Sequence, residues 1–200
     1  MKIRMSLAAM ALLLLAGCTP KRVQYYQLSA VAPPSALAAT GPIMLVGRIT
    51  SVQALQDGRI HYHEGANEVG SYEYHRWTDP PGILVKDSLT HALRASGKFK
   101  SVQDAGSTAD GDFIVRGKLL EFSELDGSAI TTRVSLDLEL REMKSGRLVW
   151  SEMLTHDDPV QAKKVADVVA SLDRNLQVVI GNAVSAIDTY VAAHPLSSSR

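Results

Sequence analysis

This 200-residue chain has a single cysteine, Cys18, so neither a disulfide within one copy nor a cysteine-built zinc site is open to it. Neither charge is in excess: 21 basic residues face 21 acidic ones, and no basic patch argues for nucleic acid. The longest unbroken apolar run, Leu7 to Ala16, is far short of the ~20 residues that a membrane-spanning helix requires. A nucleophile elbow, a phosphate-binding loop, a dinucleotide fingerprint and a His-Glu-x-x-His zinc motif are all missing. The chain therefore reads as non-enzymatic and without a cofactor, and the stability of its folded part rests on packing.

What is present begins at the N-terminus. Lys2 and Arg4 precede the apolar run and Leu15-Ala16-Gly17-Cys18 closes it, which is the layout of an export signal. The small Ala16 and Gly17 leave the peptide groups open to a peptidase, and the stretch resembles the lipobox of bacterial lipoproteins. Cys18 is then the mature N-terminus and the point of lipid attachment, because a thiolate is nucleophilic enough to take a diacylglyceryl group as a stable thioether. Each buried methylene is worth ~0.8 kcal/mol and one chain holds only marginally, so two or three acyl chains make a lasting membrane anchor. Thr19, standing where an aspartate would retain the protein, resembles the sorting pattern that passes lipoproteins to the outer membrane, facing the periplasm.

The rest divides into a lipidated tether at 18–22, one domain at 23–192 and a flexible tail at 193–200, after the signal peptide at 1–17. Val23 to Leu28 has the β-branched and aromatic content of a strand, Ser29 to Gly41 is an Ala- and Pro-rich connection, and Ile43 to Ile49 is a compact apolar run that reads as a buried strand. After a turn at Asp57-Gly58, Arg59 to Glu64 and Val69 to His75 suit a hairpin. Asp79 is placed to cap a helix over 80–96 whose first turn holds Pro80 and Pro81, with Gly97 as its left-handed stop. Phe99 to Val102 is a short strand candidate. Val134, Leu136, Leu138 and Leu140 alternate with Ser135, Asp137, Glu139 and Arg141, a period of two that puts one face on a core and the other in water. With Phe113 to Phe122 before it and Leu148 to Leu154 after it, that strand completes an antiparallel meander. Asp157-Asp158 then read as caps of a long final helix in which Val165, Val168, Leu172, Leu176, Val179, Ala183, Ile187 and Tyr190 recur every three or four residues. This order predicts an α+β domain, a mainly antiparallel sheet with two helices packed on one face.

Two clusters invite a functional reading. His61 and His63 share a strand face by spacing, and His75 on the partner strand is a candidate third nitrogen for a metal, although an exposed polar hairpin face accounts for the same residues. Tyr72, Tyr74, Arg76 and Trp77 combine large aromatic groups with an arginine before a helix, the composition of a partner-binding hot spot. The competing reading places Trp77 in the core beneath the helix start.

Together with the lipobox, Tyr25-Tyr26-Gln27-Leu28, Gly41-Pro42-Ile43, Tyr74-His75-Arg76-Trp77-Thr78-Asp79-Pro80-Pro81 and Gly97-Lys98-Phe99 resemble the ABC-type transport auxiliary lipoprotein family, which includes the PqiC-type lipoproteins. The resemblance spans Tyr25 to Val191. It implies a non-catalytic envelope protein that works with an ABC transporter and a periplasmic MCE-type substrate-binding protein in the traffic of lipids or other hydrophobic molecules between membranes. A homo-oligomer is compatible with the apolar strand edges. The alternative is a structural or regulatory outer-membrane lipoprotein that binds cell-wall or envelope-assembly proteins.

Overall fold

The computed structural model describes residues 21–29, 40–65, 67–106, 109–162 and 164–195. Cys18, the expected export signal and most of the Ala/Pro-rich connection lie outside the described residues. Among the described residues, eight strands and two α-helices follow in the order β1 (Gln24–Tyr26), β2 (Ile43–Ser51), a 3-10 turn (Gln53–Gln56), β3 (Arg59–Glu64), β4 (Glu68–Trp77), α1 (Pro81–Ser96), β5 (Ser101–Asp104), β6 (Phe113–Asp126), β7 (Thr131–Glu142), β8 (Leu148–Pro159) and α2 (Val165–Ala193). This is the expected α+β class.

The centre of the sheet is β6. Along one edge it pairs antiparallel with β7, which in turn pairs antiparallel with β8. Along its other edge two strands share it end to end: β2 runs parallel to its first half, from Met44 opposite Phe113 to Ser51 opposite Leu119. Its second half pairs in parallel with β3, from His61 opposite Ser123 to Glu64 opposite Asp126. Beyond β2 lies β5, and beyond β3 lie β4 and then β1. The meander and hairpin are antiparallel as expected, and parallel pairs join them into one mixed sheet.

Both helices lie on one face, with α1 against β2, β5 and β6 and α2 against β7 and β8. The alternation in β7 explains this directly. Val134, Leu136, Leu138 and Leu140 are all buried in the core with Val168, Leu172, Leu176, Val179 and Ile187 of α2, each such side chain worth about 1.5–3 kcal/mol on leaving water. A polar clasp locks α2 to the meander. Asn175, fully buried, donates from Nδ2 to the Thr132 carbonyl at 2.9 Å and meets His156 Nδ1 through Oδ1 at 3.0 Å. Ser171 lies 2.9 Å from the Thr132 hydroxyl and donates to Asp158 at 2.7 Å.

Three local expectations are corrected. Asp79 does not cap α1: Pro80 occupies the N-cap with no side-chain bond. The Pro80 carbonyl accepts from Ile83 and Leu84, and Pro81 at the first helical position has no N–H to satisfy. Asp157 and Asp158 do not precede α2 as caps, because the meander runs on and β8 continues to Pro159. Asp157 instead accepts both hydrogen bonds of an Arg133 fork across the strands at 2.7 Å, which holds its carboxyl below the usual range. The short strand begins at Ser101 rather than Phe99, since Phe99 is turned into the core at 0% exposure. Gly97 does stop α1 in the left-handed region, at φ 67°.

Candidate functional site

The hairpin β3–β4 and the short β1 carry most of the residues singled out above. In β4 the chain bulges against β3: Arg59 opposes Arg76 while His61 opposes Ser71, so the residues between are free to turn their side chains in different directions. Trp77 goes inward. It is 3% exposed and packs on Phe122 with ring centroids 5.2 Å apart, so the core reading holds for Trp77 and it offers no surface to a partner.

Tyr72 is half-buried, and its hydroxyl donates to Glu124 Oε2 at 2.6 Å. Burial, then the Glu124 carboxylate, pushes the Tyr72 phenol far above its ordinary value, so it stays a neutral donor at any physiological pH. Its ring meets Tyr62 at 5.2 Å and His75 at 5.9 Å. Tyr62 in turn lies over Gly70, where a Cβ would stand 2.3 Å from the Tyr62 ring. Tyr26 of β1 stacks on His75 at 5.8 Å and shares a 2.9 Å hydrogen bond with its Nδ1. These rings form a rigid aromatic row that fixes β1 and β4 together. Tyr72 therefore positions the strand rather than presenting itself.

The outward-facing members are Tyr74 and Tyr25. Lys21 lies 5.2 Å over the Tyr74 ring, close enough for a cation–π contact, and Tyr25 is 65% exposed. Arg76 is half-exposed in register with Tyr25. The backbone beside them is also available: β1 covers β4 only from His75 to Trp77, and among the described residues the outer edge from Glu68 to Tyr74 pairs with no strand. Such an edge is a template for strand addition, and the exposed Glu68 and Glu73 along it are charges of the kind that keep an edge from pairing indiscriminately.

The three histidines do not converge. His61 Nε2 meets Asp57 at 3.0 Å, His63 Nε2 meets Glu121 at 3.2 Å, and His75 is held by Tyr26. At Asp57, burial works to raise the carboxyl pKa but hydrogen bonds from the Arg59 amide and His61 outweigh it, leaving a net lowering. Among the described residues no group of three or more His, Cys, Asp or Glu is placed to hold a metal ion. Glu121 and Glu124, the acids that serve His63 and Tyr72, carried no sequence signal, because both contacts join residues more than fifty positions apart.

An α+β domain with an open, aromatic-flanked strand edge has the features of a binding module. A family model described as the ABC-type transport auxiliary lipoprotein component matches residues 26–182, and the chain belongs to that family. Among solved structures, protein XCC0632 from Xanthomonas campestris superposes with a TM-score of 0.77 at 20% identity, covering 86% of this chain and 98% of that one. A second, uncharacterised protein gives 0.67 at 15% identity over 84% and 99%. The hypothetical protein CT253 from Chlamydia trachomatis gives 0.51 at 10% over 78% and 100%. At these identities the likeness establishes the fold alone. No curated protein matches the sequence.

Proposed function

We propose that this auxiliary component of an ABC-type transport system is a non-catalytic docking module, held by a lipid on Cys18 at the outer membrane and facing the periplasm. It engages a periplasmic MCE-type protein and through it the ABC transporter, in the movement of lipids or other hydrophobic molecules across the envelope. The observation that carries the reading is the Glu68–Tyr74 edge of β4, unpaired among the described residues and flanked by Tyr74, Tyr25 and Arg76. An extended segment added there gains main-chain hydrogen bonds, while the aromatic side chains supply the contact area that Tyr and Arg provide at interfaces. The family membership supports the same assignment. Anchoring makes a modest interface sufficient, because confinement to one membrane surface raises the effective concentration of the partner by orders of magnitude.

The test is co-purification from native membranes. Wild-type protein should bring down an MCE-type protein, and a double variant with Tyr74→Ala and Tyr25→Ala should lose it while folding normally. Retention of the partner by that variant, or recovery only of cell-wall enzymes with the wild type, would refute the assignment.

A further inference from the structure

The face of the sheet opposite the helices has its own construction. Near β5 it is capped by Gly111, which fits against Leu45 so closely that a Cβ would stand 2.6 Å from the leucine. Beside this cap runs an open groove of about 730 Å³ crossing β2, β6, β7 and β8. Three exposed cations line it: Arg48, Arg116 and Lys118.

Their grouping is built by the backbone. Between Val46 opposite Val115 and Ile49 opposite Gly117 the register shifts, so Gly47 and Arg48 together face the single residue Arg116. A bulge of this kind re-aims the side chain that follows it, and it sets the Arg48 and Arg116 guanidinium groups on one groove. Gly47 completes the arrangement: a Cβ there would lie 2.7 Å from Arg116 Cγ, so the glycine is the space in which the Arg116 stem lies.

The available acids do not neutralise this cluster. Glu139 is directly opposite Arg116 and Asp137 directly opposite Lys118. Glu139, however, is committed to Arg141, whose Nε and Nη2 donate to its two oxygens at 3.0 and 3.1 Å. Among the described residues, Arg48, Arg116 and Lys118 enter no ion pair. Three cations thus face one uncommitted carboxylate, Asp137. Apolar surface adjoins them: Leu148 lines the groove at 49% exposure, and Met153, opposite Asp137 on β8, is 66% exposed.

We propose that this groove is a second docking surface, distinct from the β4 edge, and that it takes an extended acidic segment of a partner protein whose carboxylates meet Arg48, Arg116 and Lys118 while its apolar side chains cover Leu148 and Met153. Guanidinium forks match carboxylates two bonds at a time. Charge and polarity argue for this occupant: three exposed cations with one uncommitted carboxylate, beside the exposed Leu148 and Met153, suit a segment that carries carboxylates and apolar side chains together.

The experiment uses the purified full-length lipoprotein in non-ionic detergent and a fluorescein-labelled peptide of alternating glutamate and leucine, with fluorescence anisotropy as the readout. Wild-type protein should bind the peptide, more weakly as salt is raised, and should ignore the same peptide with glutamine in place of glutamate. Arg48→Gln with Arg116→Gln should weaken binding at least about tenfold. Gly47→Ala should weaken it several-fold with all three cations retained, and Asp137→Asn should strengthen it. Circular dichroism checks that each variant folds. Unchanged affinity in the double arginine variant would overturn the proposal. So would displacement of the peptide by soluble glycerophosphoglycerol at comparable concentration, which would reassign the groove to lipid headgroups. Neither result depends on the MCE-type partner, so failure here leaves the β4-edge reading standing, and the converse.

Discussion

Replacing Trp77 separates packing from docking within the one cluster that sequence pattern had offered as a partner site. Its side chain is 3% exposed against Phe122, so Trp77→Ala removes a large core group and should cost about 3–5 kcal/mol. For a domain of this size each kcal/mol moves the thermal midpoint by about 2–4 °C, which gives a fall of roughly 6–20 °C. Trp77→Phe is the informative companion. The indole Nε1 is buried with no hydrogen-bond partner among the described residues, and such an orphan donor costs about 1–3 kcal/mol. Phenylalanine discards the orphan and keeps most of the contact with Phe122, so the two effects offset and the midpoint should shift by only about a quarter of the alanine value. Differential scanning calorimetry on the purified protein measures both. A midpoint within about 2 °C of wild type for Trp77→Ala would show that the ring is not a core group. Equal losses for Ala and Phe would show that the buried N–H is paired after all.

Other substitutions test other parts of the account. Asn175→Ala opens the clasp between α2 and the meander and leaves the Thr132 carbonyl and His156 without their partner; a loss of about 2–4 kcal/mol in urea unfolding is expected, and a neutral result would contradict the clasp. Burial raises the Asp188 carboxyl above its ordinary value, against a smaller opposing pull from Lys98. The folded state therefore holds that proton more tightly than the unfolded one, and stability falls as pH rises from the ordinary carboxylate pKa through the raised one. Asp188→Asn should then raise the midpoint at neutral pH and lose its advantage in acid, and a lower midpoint at neutral pH would refute the sign. Tyr74→Ala should leave the midpoint unchanged and still weaken partner binding, a combination that Trp77→Ala cannot give.

Wherever one residue pattern repeats over several turns or pleats, sequence and structure agree. The alternation from Val134 to Leu140 placed one face of β7 on the core, and the stripe from Val165 to Tyr190 placed α2. The same holds for the hairpin expected at Arg59 to His75, which the structure extends to Trp77, and for Gly97 as a stop. What escaped was information that no local stretch contains. That β2 and β3 share one edge of β6 depends on long parallel connections, which leave no mark in either strand. Asp157 and Asp158 looked like caps because their role depends on how far β7 extends to meet them, and Arg133 is 24 residues away. At the candidate site, sequence found the half-exposed Tyr74 and Arg76 but grouped the buried Trp77 with them by composition, although a period of two puts Trp77 on the face opposite both. The basic groove was invisible because Arg48 and Arg116 lie in different strands, and a single extra residue in β2 aims them together.

The central claim is that a lipid on Cys18 holds an inert docking domain at the membrane where its partners work. Cys18→Ala, expressed at native level in cells lacking the wild-type copy, tests it most directly by combining fractionation with restoration of transport-dependent growth. The protein should leave the membrane fraction and fail to restore growth. Full restoration by the unanchored variant would contradict the claim.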